Sequence, residues 1–442
     1  MDINPLWAML VMLVLLFTGM PVGIIMGFVG LVFGYLAFGN NFLGVLSGKV
    51  FGLLTDYIFV TMPMFIFMGN MLERAGSTEE MYDAMYIVMG KIKGGLAYAT
   101  VIIGTIFAAA TGVIGASVTT MGLIGIPSML KRGYQPGISM GVVMASGTLG
   151  MLIPPSVMLV MLGSWAEVSV GRLYMACLGP GLILACFYAI YIFVYTKKNP
   201  ASAPGITGPE LDRYTGGQKA KMLVKAAVPP IALIIIVMGV ILVGIATPTE
   251  AAGLGAVGAL LIAAATRRLT FKAFKEACIR SAKSCGMIGI VGTGAYVFVA
   301  TFLRLGGAKA VSSALTAGDL GKWGTYIVIM LLLFVMGMFL DWFGILVILT
   351  PVFMPIIKSL GFDPVWFCAL VAVNLQMSFL TPPFGYALFY VKGIIPQVAP
   401  GIKTSQIFSS IWPYCGMVVL GLVLFSAFPN IVLAIPNAIY GK

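Results

Sequence analysis

Polar positions along this chain are few and clustered, and the stretches between them are apolar on every face. Residues 6–20, 21–39, 50–71, 94–112, 137–163, 170–195, 226–246, 248–265, 284–303, 324–340, 364–391 and 411–434 each form such a stretch. Lipid offers a backbone no hydrogen-bond partner, so these stretches are predicted to be helices that satisfy their own polar groups. The short alternating segments of a membrane β-barrel are missing from the pattern. Asp2 precedes the first stretch and no basic flank does, which predicts a first membrane helix and not a cleaved signal peptide.

The pattern also repeats. Gly133-Tyr134-Gln135-Pro136, with Pro127 before it and Pro154-Pro155 after it, returns 228 residues later as Gly361-Phe362-Asp363-Pro364, Pro355 and Pro382-Pro383. Gly27 and Gly30 return as Gly255 and Gly258 at the same offset. Matched Gly/Pro-interrupted apolar segments in two halves of a chain are a sequence pointer to a transporter's binding site. The polar stretch 197–228, with Asn199-Pro200, Gly208-Pro209 and Gly216-Gly217, is predicted to be a cytoplasmic linker. It leaves 1–196 and 229–442 as the two repeats.

Each repeat carries two kinds of interruption. Residues of about 94–131 and 322–358 are predicted to be re-entrant hairpins of half-length helices. Their tips are Ala110-Thr111-Gly112-Val113-Ile114-Gly115-Ala116-Ser117 and Gly337-Met338-Phe339-Leu340-Asp341-Trp342-Phe343-Gly344. A fold-back near mid-depth exposes unpaired backbone groups, which lipid tolerates only where they line a polar cavity or meet an ion. A bland alternative is close helix packing through Gly112 and Gly115. After each hairpin comes a helix, about 137–163 and 364–391, that adjacent prolines must break, freeing carbonyls. Such carbonyls beside Ser and Thr hydroxyls are hard-oxygen ligands suited to Na⁺. A proline kink used for packing alone is the alternative there, and its recurrence in both halves weighs against it.

Composition narrows the class: 60% of residues are apolar and 9% charged, which excludes a soluble enzyme. The net charge of +12 has an explanation in topology and requires no nucleic acid. With hairpins that enter and leave by one face, most of the 26 basic residues fall in cytoplasmic loops. Only Lys49, Arg172, Arg304, Lys309, Lys322, Lys358 and Lys442 fall elsewhere. Each half then crosses the membrane an odd number of times, so the repeat is predicted to be inverted. The basic run 267–283 agrees, since its image at 39–55 holds only Lys49, and it is a candidate site for anionic lipids. The absence of histidine removes imidazole metal sites and His-dependent catalysis, and the six cysteines form no CxxC pair.

Three acidic residues reach membrane depth, where each needs a reason. Asp341 at the second tip is read as a cation-linked carboxylate, Glu250 as a helix-start charge, and Asp56 as interfacial. Arg304 is read as a snorkelling cation that could also meet an anion.

Residues 108–133, 147–156, 247–253, 337–341 and 361–385 resemble the large membrane subunit of tripartite ATP-independent periplasmic (TRAP) transporters, over nearly the whole chain. The two proline motifs and Thr249-Glu250-Ala251-Ala252-Gly253 carry the resemblance. It implies an all-α, inverted-repeat, elevator-type carrier in the bacterial inner membrane. Its partners would be a small four-helix membrane (Q) subunit and a periplasmic substrate-binding protein. Na⁺, two or more ions and no organic cofactor, would drive import of small organic acids. By motif position the resemblance implies one Na⁺ site with Gly115, Ser117, Gly147 and Pro154, and a second with Gly337, Asp341, Gln376 and Thr381. Candidate substrate-binding residues are Thr111, Gly112, Ser117, Thr148, Ser156, Asn374 and Thr381. The first tip, Gly115-Ala116-Ser117-Val118, departs from the commonest Gly-Ser-Ser type and resembles the branch associated with 2-oxo acids, monocarboxylates and aromatic acids. Rival readings are a stand-alone Na⁺/anion symporter or antiporter, an intramembrane enzyme and a channel.

Overall fold

Helices form wherever the chain is apolar, and none of the described residues lies in a strand. The computed structural model describes residues 4–112, 114–206, 213–316, 320–383 and 385–441. Asp2, Val113, the linker pair Gly208-Pro209, Phe384 and Lys442 fall outside the described residues.

The first half contains α1 (Pro5–Leu16), α2 (Val22–Phe38), α3 (Asn41–Leu54), α4 (Thr61–Arg74), α5 (Ser77–Met89), α6 (Gly95–Thr111), α7 (Ile114–Leu130), α8 (Pro136–Thr148), α9 (Val157–Trp165) and α10 (Val170–Lys198). The second contains α11 (Gly216–Leu242), α12 (Pro248–Ala265), α13 (Phe271–Arg304), α14 (Gly307–Thr316), α15 (Gly321–Phe339), α16 (Trp342–Ile348), α17 (Met354–Ser359), α18 (Pro364–Leu380) and α19 (Tyr386–Val398). It closes with α20 (Thr404–Ser409), α21 (Trp412–Ala427) and α22 (Pro429–Tyr440). Among the described residues, 7 helical segments are long and apolar enough to cross a membrane, or 8 if one bent pair counts as a span.

Shifted by 228 residues, α2 falls on α12, α6 on α15, α7 on α16 with α17, α8 on α18 and α9 on α19. The packing is exchanged between halves in the same way. α2 lies along α13, and α12, the image of α2, lies along α4, whose image is the second part of α13. Glycines allow the first contact. A Cβ on Gly23 would lie 2.6 Å from the Val291 Cα, and one on Gly30 2.6 Å from the Phe298 Cα. Thr301 then donates to the freed approach at the Gly30 carbonyl, at 2.6 Å. At the second contact the Thr61 and Thr249 hydroxyls meet at 2.7 Å. Ion pairs Arg74–Glu276 (2.8 Å) and Arg280–Glu73 (3.0 Å) bind α4 to α13 at their charged ends.

The halves differ in one place that the apolar pattern hides. Residues 50–71 read as one stretch, yet the chain bends there by 47° between α3 and the helix that follows. The Asp56 carboxylate accepts the Ile58 N–H at 3.0 Å and starts a 3-10 turn, Tyr57–Val60, which ends α3. Its image is Ser284, which caps nothing, so α13 runs unbroken for 34 residues. That continuity also corrects the expected loop at 267–283, because Lys272 to Lys283 stand on the first turns of α13. Glu250 forms the capping box expected of a helix-start charge, accepting the Thr247 N–H at 2.8 Å.

Candidate functional site

The first tip forms because Gly112 takes a left-handed backbone, φ +60°, that ends α6 and lets α7 start at Ile114. The turn sits directly on the broken helix. A Cβ on Gly112 would lie 3.2 Å from the Val157 N and 3.6 Å from the Pro155 carbonyl oxygen. Across the tip the Thr111 and Ser117 hydroxyls meet at 2.6 Å, both buried. Behind it Gly147 lets α7 approach α8, since a Cβ there would lie 2.5 Å from a Val118 methyl.

The helix under this tip breaks as the prolines require. α8 ends at Thr148, a 3-10 turn covers Leu149–Met151, and α9 resumes at Val157. Pro154-Pro155 and its image Pro382-Pro383 are both cis. Ser156 caps the new helix, donating its hydroxyl to the Met151 carbonyl at 2.9 Å while Tyr174 donates to the Ser156 carbonyl at 3.3 Å.

The second tip is built differently. α15 ends at Phe339, Leu340 is extended, and Asp341 stands at the N-cap of α16 with no side-chain cap bond and part of its surface exposed. Gly337 admits Ser378, whose Cβ would lie 2.6 Å from a Cβ placed on the glycine. Ser378 and Asn374 donate to the α15 carbonyls of Phe334 (3.1 Å) and Met330 (2.7 Å), fixing the hairpin arm on α18. Thr381 donates to the Met377 carbonyl at 2.8 Å beside Cys415. A π-helical turn, Leu349–Phe353, interrupts the returning arm around Pro351.

The two broken helices meet each other. Gln376 Nε2 donates to Thr148 Oγ1 at 3.3 Å and to Tyr188 Oη at 2.9 Å. Thr148 and Gln376 are images at the 228 offset, so a residue here bonds its own repeat equivalent. The fully buried Gln376 Oε1 has no hydrogen-bond partner among the described residues. Such an acceptor costs about 1–3 kcal/mol unless something meets it.

Thus Thr111, Gly112, Ser117, Gly147, Pro154 and Ser156 surround the first tip, and Gly337, Asn374 and Thr381 lie along the second hairpin's support. Thr148 and Gln376 are at the crossing between the two groups, while Gly115 faces Tyr390 and Asp341 stands at the N-cap position of α16. No group of three or more Cys, Asp or Glu that could hold a metal occurs among the described residues. Arg304 ends α13 and lines neither cleft described next.

One cleft opens at each tip. The first, about 390 Å³, lies between α7, α4, α13 and α19 and is lined by Asn70, Thr119, Thr120, Lys283, Ser284 and Tyr390, among others. The second, about 280 Å³, is lined largely by apolar and aromatic groups such as Trp165, Tyr296, Leu303, Val347 and Pro351. Thr119 and Leu123 of the first correspond to Val347 and Pro351 of the second at the repeat offset. Tyr390, Tyr188 and Asn70 carry no motif and are invisible to sequence reading, and Lys283 was legible only as the end of the basic run 267–283. The pairing of Thr148 with Gln376 was available from their shared register.

This geometry, broken helices crossing beneath paired hairpin tips inside a helical membrane protein, defines a multi-pass membrane transporter. Residues 9–431 match the family model described as "Tripartite ATP-independent periplasmic transporter, DctM component". The chain is 31% identical to the C4-dicarboxylate TRAP transporter large permease protein DctM of Rhodobacter capsulatus, covering 96% of this chain and 97% of that one. It is 30% identical to the ectoine TRAP transporter large permease TeaC of Halomonas elongata, over 85% of each. With the sialic acid TRAP large permease SiaM of Vibrio cholerae it shares 28%, over 97% of each. Among solved structures, the Alcanivorax borkumensis YdaH transporter matches with a TM-score of 0.63 at 15% identity, over 93% of this chain and 98% of that one, a likeness of fold. The chain belongs to the DctM family of TRAP transporter large permeases, and is a multi-pass protein of the bacterial inner membrane rather than an enzyme. The family works with a small Q subunit and a periplasmic binding protein.

Proposed function

We propose that this chain is the transport subunit of a Na⁺-coupled importer of small organic acids, and that its two halves are inverted in the membrane. Na⁺ sits at the freed carbonyls and hydroxyls of the broken helices, one ion under each tip, and the carboxylate binds between the tips. Thr111 and Ser117 with the Gly147–Pro154 backbone form the first ion site. Gly337, Asp341 and Thr381 form the second, and the orphaned Gln376 Oε1 at the crossing supplies an acceptor between them. The hairpins and broken helices then move as one body past the frame of α2, α4, α12 and α13, in elevator fashion. A membrane potential adds about 2.3 kcal/mol per net charge per 100 mV, so more cations than substrate charges drive accumulation without ATP. A small Q subunit and a periplasmic binding protein complete the complex, the binding protein delivering the acid.

The observation that carries this reading is the Gln376–Thr148 bond between repeat-equivalent residues. It supports two half-units meeting at mid-depth with both breaks beside the crossing. The test is uptake of labelled carboxylates into proteoliposomes holding the chain and its two partners. Uptake is expected to need an inward Na⁺ gradient, to fail with K⁺ in its place and to ignore ATP. Uptake unchanged after the Na⁺ gradient collapses overturns the coupling. Full-rate uptake by the chain alone makes it a stand-alone carrier instead.

A further inference from the structure

The first cleft has two walls from different bodies. Thr119 and Thr120 come from α7 of the first hairpin, Tyr390 from α19 of the second half, and Asn70, Lys283 and Ser284 from the α4–α13 frame. Asn70 is fixed by its amide, which donates to Ser281 at 2.9 Å. The other five side chains make no hydrogen bond or ion pair with any described residue. All five can donate, and each faces the same space. Tyr390 closes the deep end, its hydroxyl 2.7 Å from where a Cβ on Gly115 would stand. Lys283, exposed, stands at the mouth.

The cleft's charges are unequal in what they leave free. Arg280 is held by Glu73 at 3.0 Å, which cancels one cation against one anion. Lys283 alone remains, so the lining presents one net positive charge. An anion with a single carboxylate meets that charge. A second carboxylate would have to displace Glu73 from Arg280.

We infer that this cleft is an anion site split between the moving hairpin and the static frame, in which Lys283 and Tyr390 hold a small organic monocarboxylate on the side of the basic residues. It rests on the organic-acid reading above, lies beside the first tip rather than between the two, and adds a charge preference and two named donors. Unpaired donors in a cleft of this size would otherwise be solvated, so an acid that replaces those waters at both ends of the cleft binds by charge at the mouth and by hydroxyl at depth. Arg in place of Lys283 keeps the charge, and Phe in place of Tyr390 keeps the ring without the donor.

The test is thermal unfolding of the purified full chain in detergent with lactate and, separately, succinate as probes, alongside Na⁺-driven uptake by the reconstituted complex. Ligand binding to the native state raises Tm by mass action. Lactate is expected to raise Tm more than succinate. Lys283→Gln weakens lactate binding about tenfold, the step that charge-assisted hydrogen bonds are worth, while Lys283→Arg retains it. Tyr390→Phe weakens it about threefold, the smaller loss of a neutral donor. Equal lactate shifts in the wild type, Lys283→Gln and Tyr390→Phe overturn the site, as does a wild type that neither acid stabilises. Succinate binding better than lactate overturns the charge preference. If uptake of carboxylates stays Na⁺-driven in any of these cases, the transport reading survives the loss of the site. If no carboxylate is taken up, the reading itself fails.

Discussion

Position 115 at the first tip is glycine, and its image at the second tip is Phe343. That one difference in volume separates the two clefts. Phe343 is fully buried, edge-on to Trp165 at 5.1 Å and to Phe59 at 6.2 Å, and a Cβ on Gly292 of α13 would lie 2.5 Å from its ring. The second tip is thereby wedged against the frame by aromatic packing. At Gly115 no side chain crosses, and the space holds the Tyr390 hydroxyl and a polar cleft. At repeat-equivalent positions, side-chain size thus decides whether the tip is packed by a ring or leaves polar space. The polar cleft of about 390 Å³ lies on the side carrying Arg280 and Lys283, and the less polar one of about 280 Å³ on the side carrying Lys49.

Making the two tips alike is the strongest way to break the comparison. Gly115→Phe brings a ring onto Tyr390, where even a Cβ would lie 2.6 Å from the ring carbon. Uptake by the reconstituted complex is expected to fall by about 100-fold or more, the scale of a misplaced site. An unchanged elution profile checks that the variant folds. The opposite change, Phe343→Ala, empties the wedge. Thermal unfolding should show a loss of about 3–5 kcal/mol, as for other buried Phe→Ala changes. Thiol labelling of an Ala300→Cys reporter in the second cleft should quicken when Phe343 is Ala, and an unaltered labelling rate would mean that Phe343 does not limit access there.

The crossing between the halves sharpens the comparison further, since both tips hang from it. Gln376→Leu removes the bonds to Thr148 and Tyr188 together with the orphaned acceptor. The Na⁺ concentration for half-maximal uptake is expected to rise about tenfold, equivalent to one lost acceptor worth about 1.4 kcal/mol. A loss of stability with no change in Na⁺ dependence would make the side chain purely a strut. The smallest effect concerns how the frame helices begin. α12 has the Thr247–Glu250 capping box, whereas its image α2 starts at Pro21 without a side-chain cap. Thr247→Ala should cost about 1 kcal/mol in thermal unfolding and leave uptake intact.

Much of the fold was legible because it rests on local backbone chemistry. Pro154-Pro155 and Pro382-Pro383 each remove two N–H donors, and the breaks fall where they stand, although Pro229-Pro230 lies inside the unbroken α11. Gly112 marks a turn because it takes the left-handed backbone without a Cβ penalty. The bend at Asp56 was not legible, because an apolar run reads the same whether or not one carboxylate caps its middle. The roll of site residues was legible in part for a similar reason. Thr111, Ser117 and Ser156 lie beside their own interruptions, whereas Tyr390 reaches the first tip from 275 positions further along the chain than Gly115.

The sequence by itself determined that this is a polytopic helical membrane protein of two related halves, each with a hairpin and a broken helix. Apolar length, proline position and register impose those features on any folded form of the chain. Tertiary structure alone decided that Gln376 bonds Thr148, that Phe343 packs a ring at the second tip where Gly115 leaves space at the first, and that Lys283 at the first cleft has no ion-pair partner among the described residues. Those outcomes depend on which side chains meet across helices distant in sequence, and no local pattern encodes a meeting of that kind.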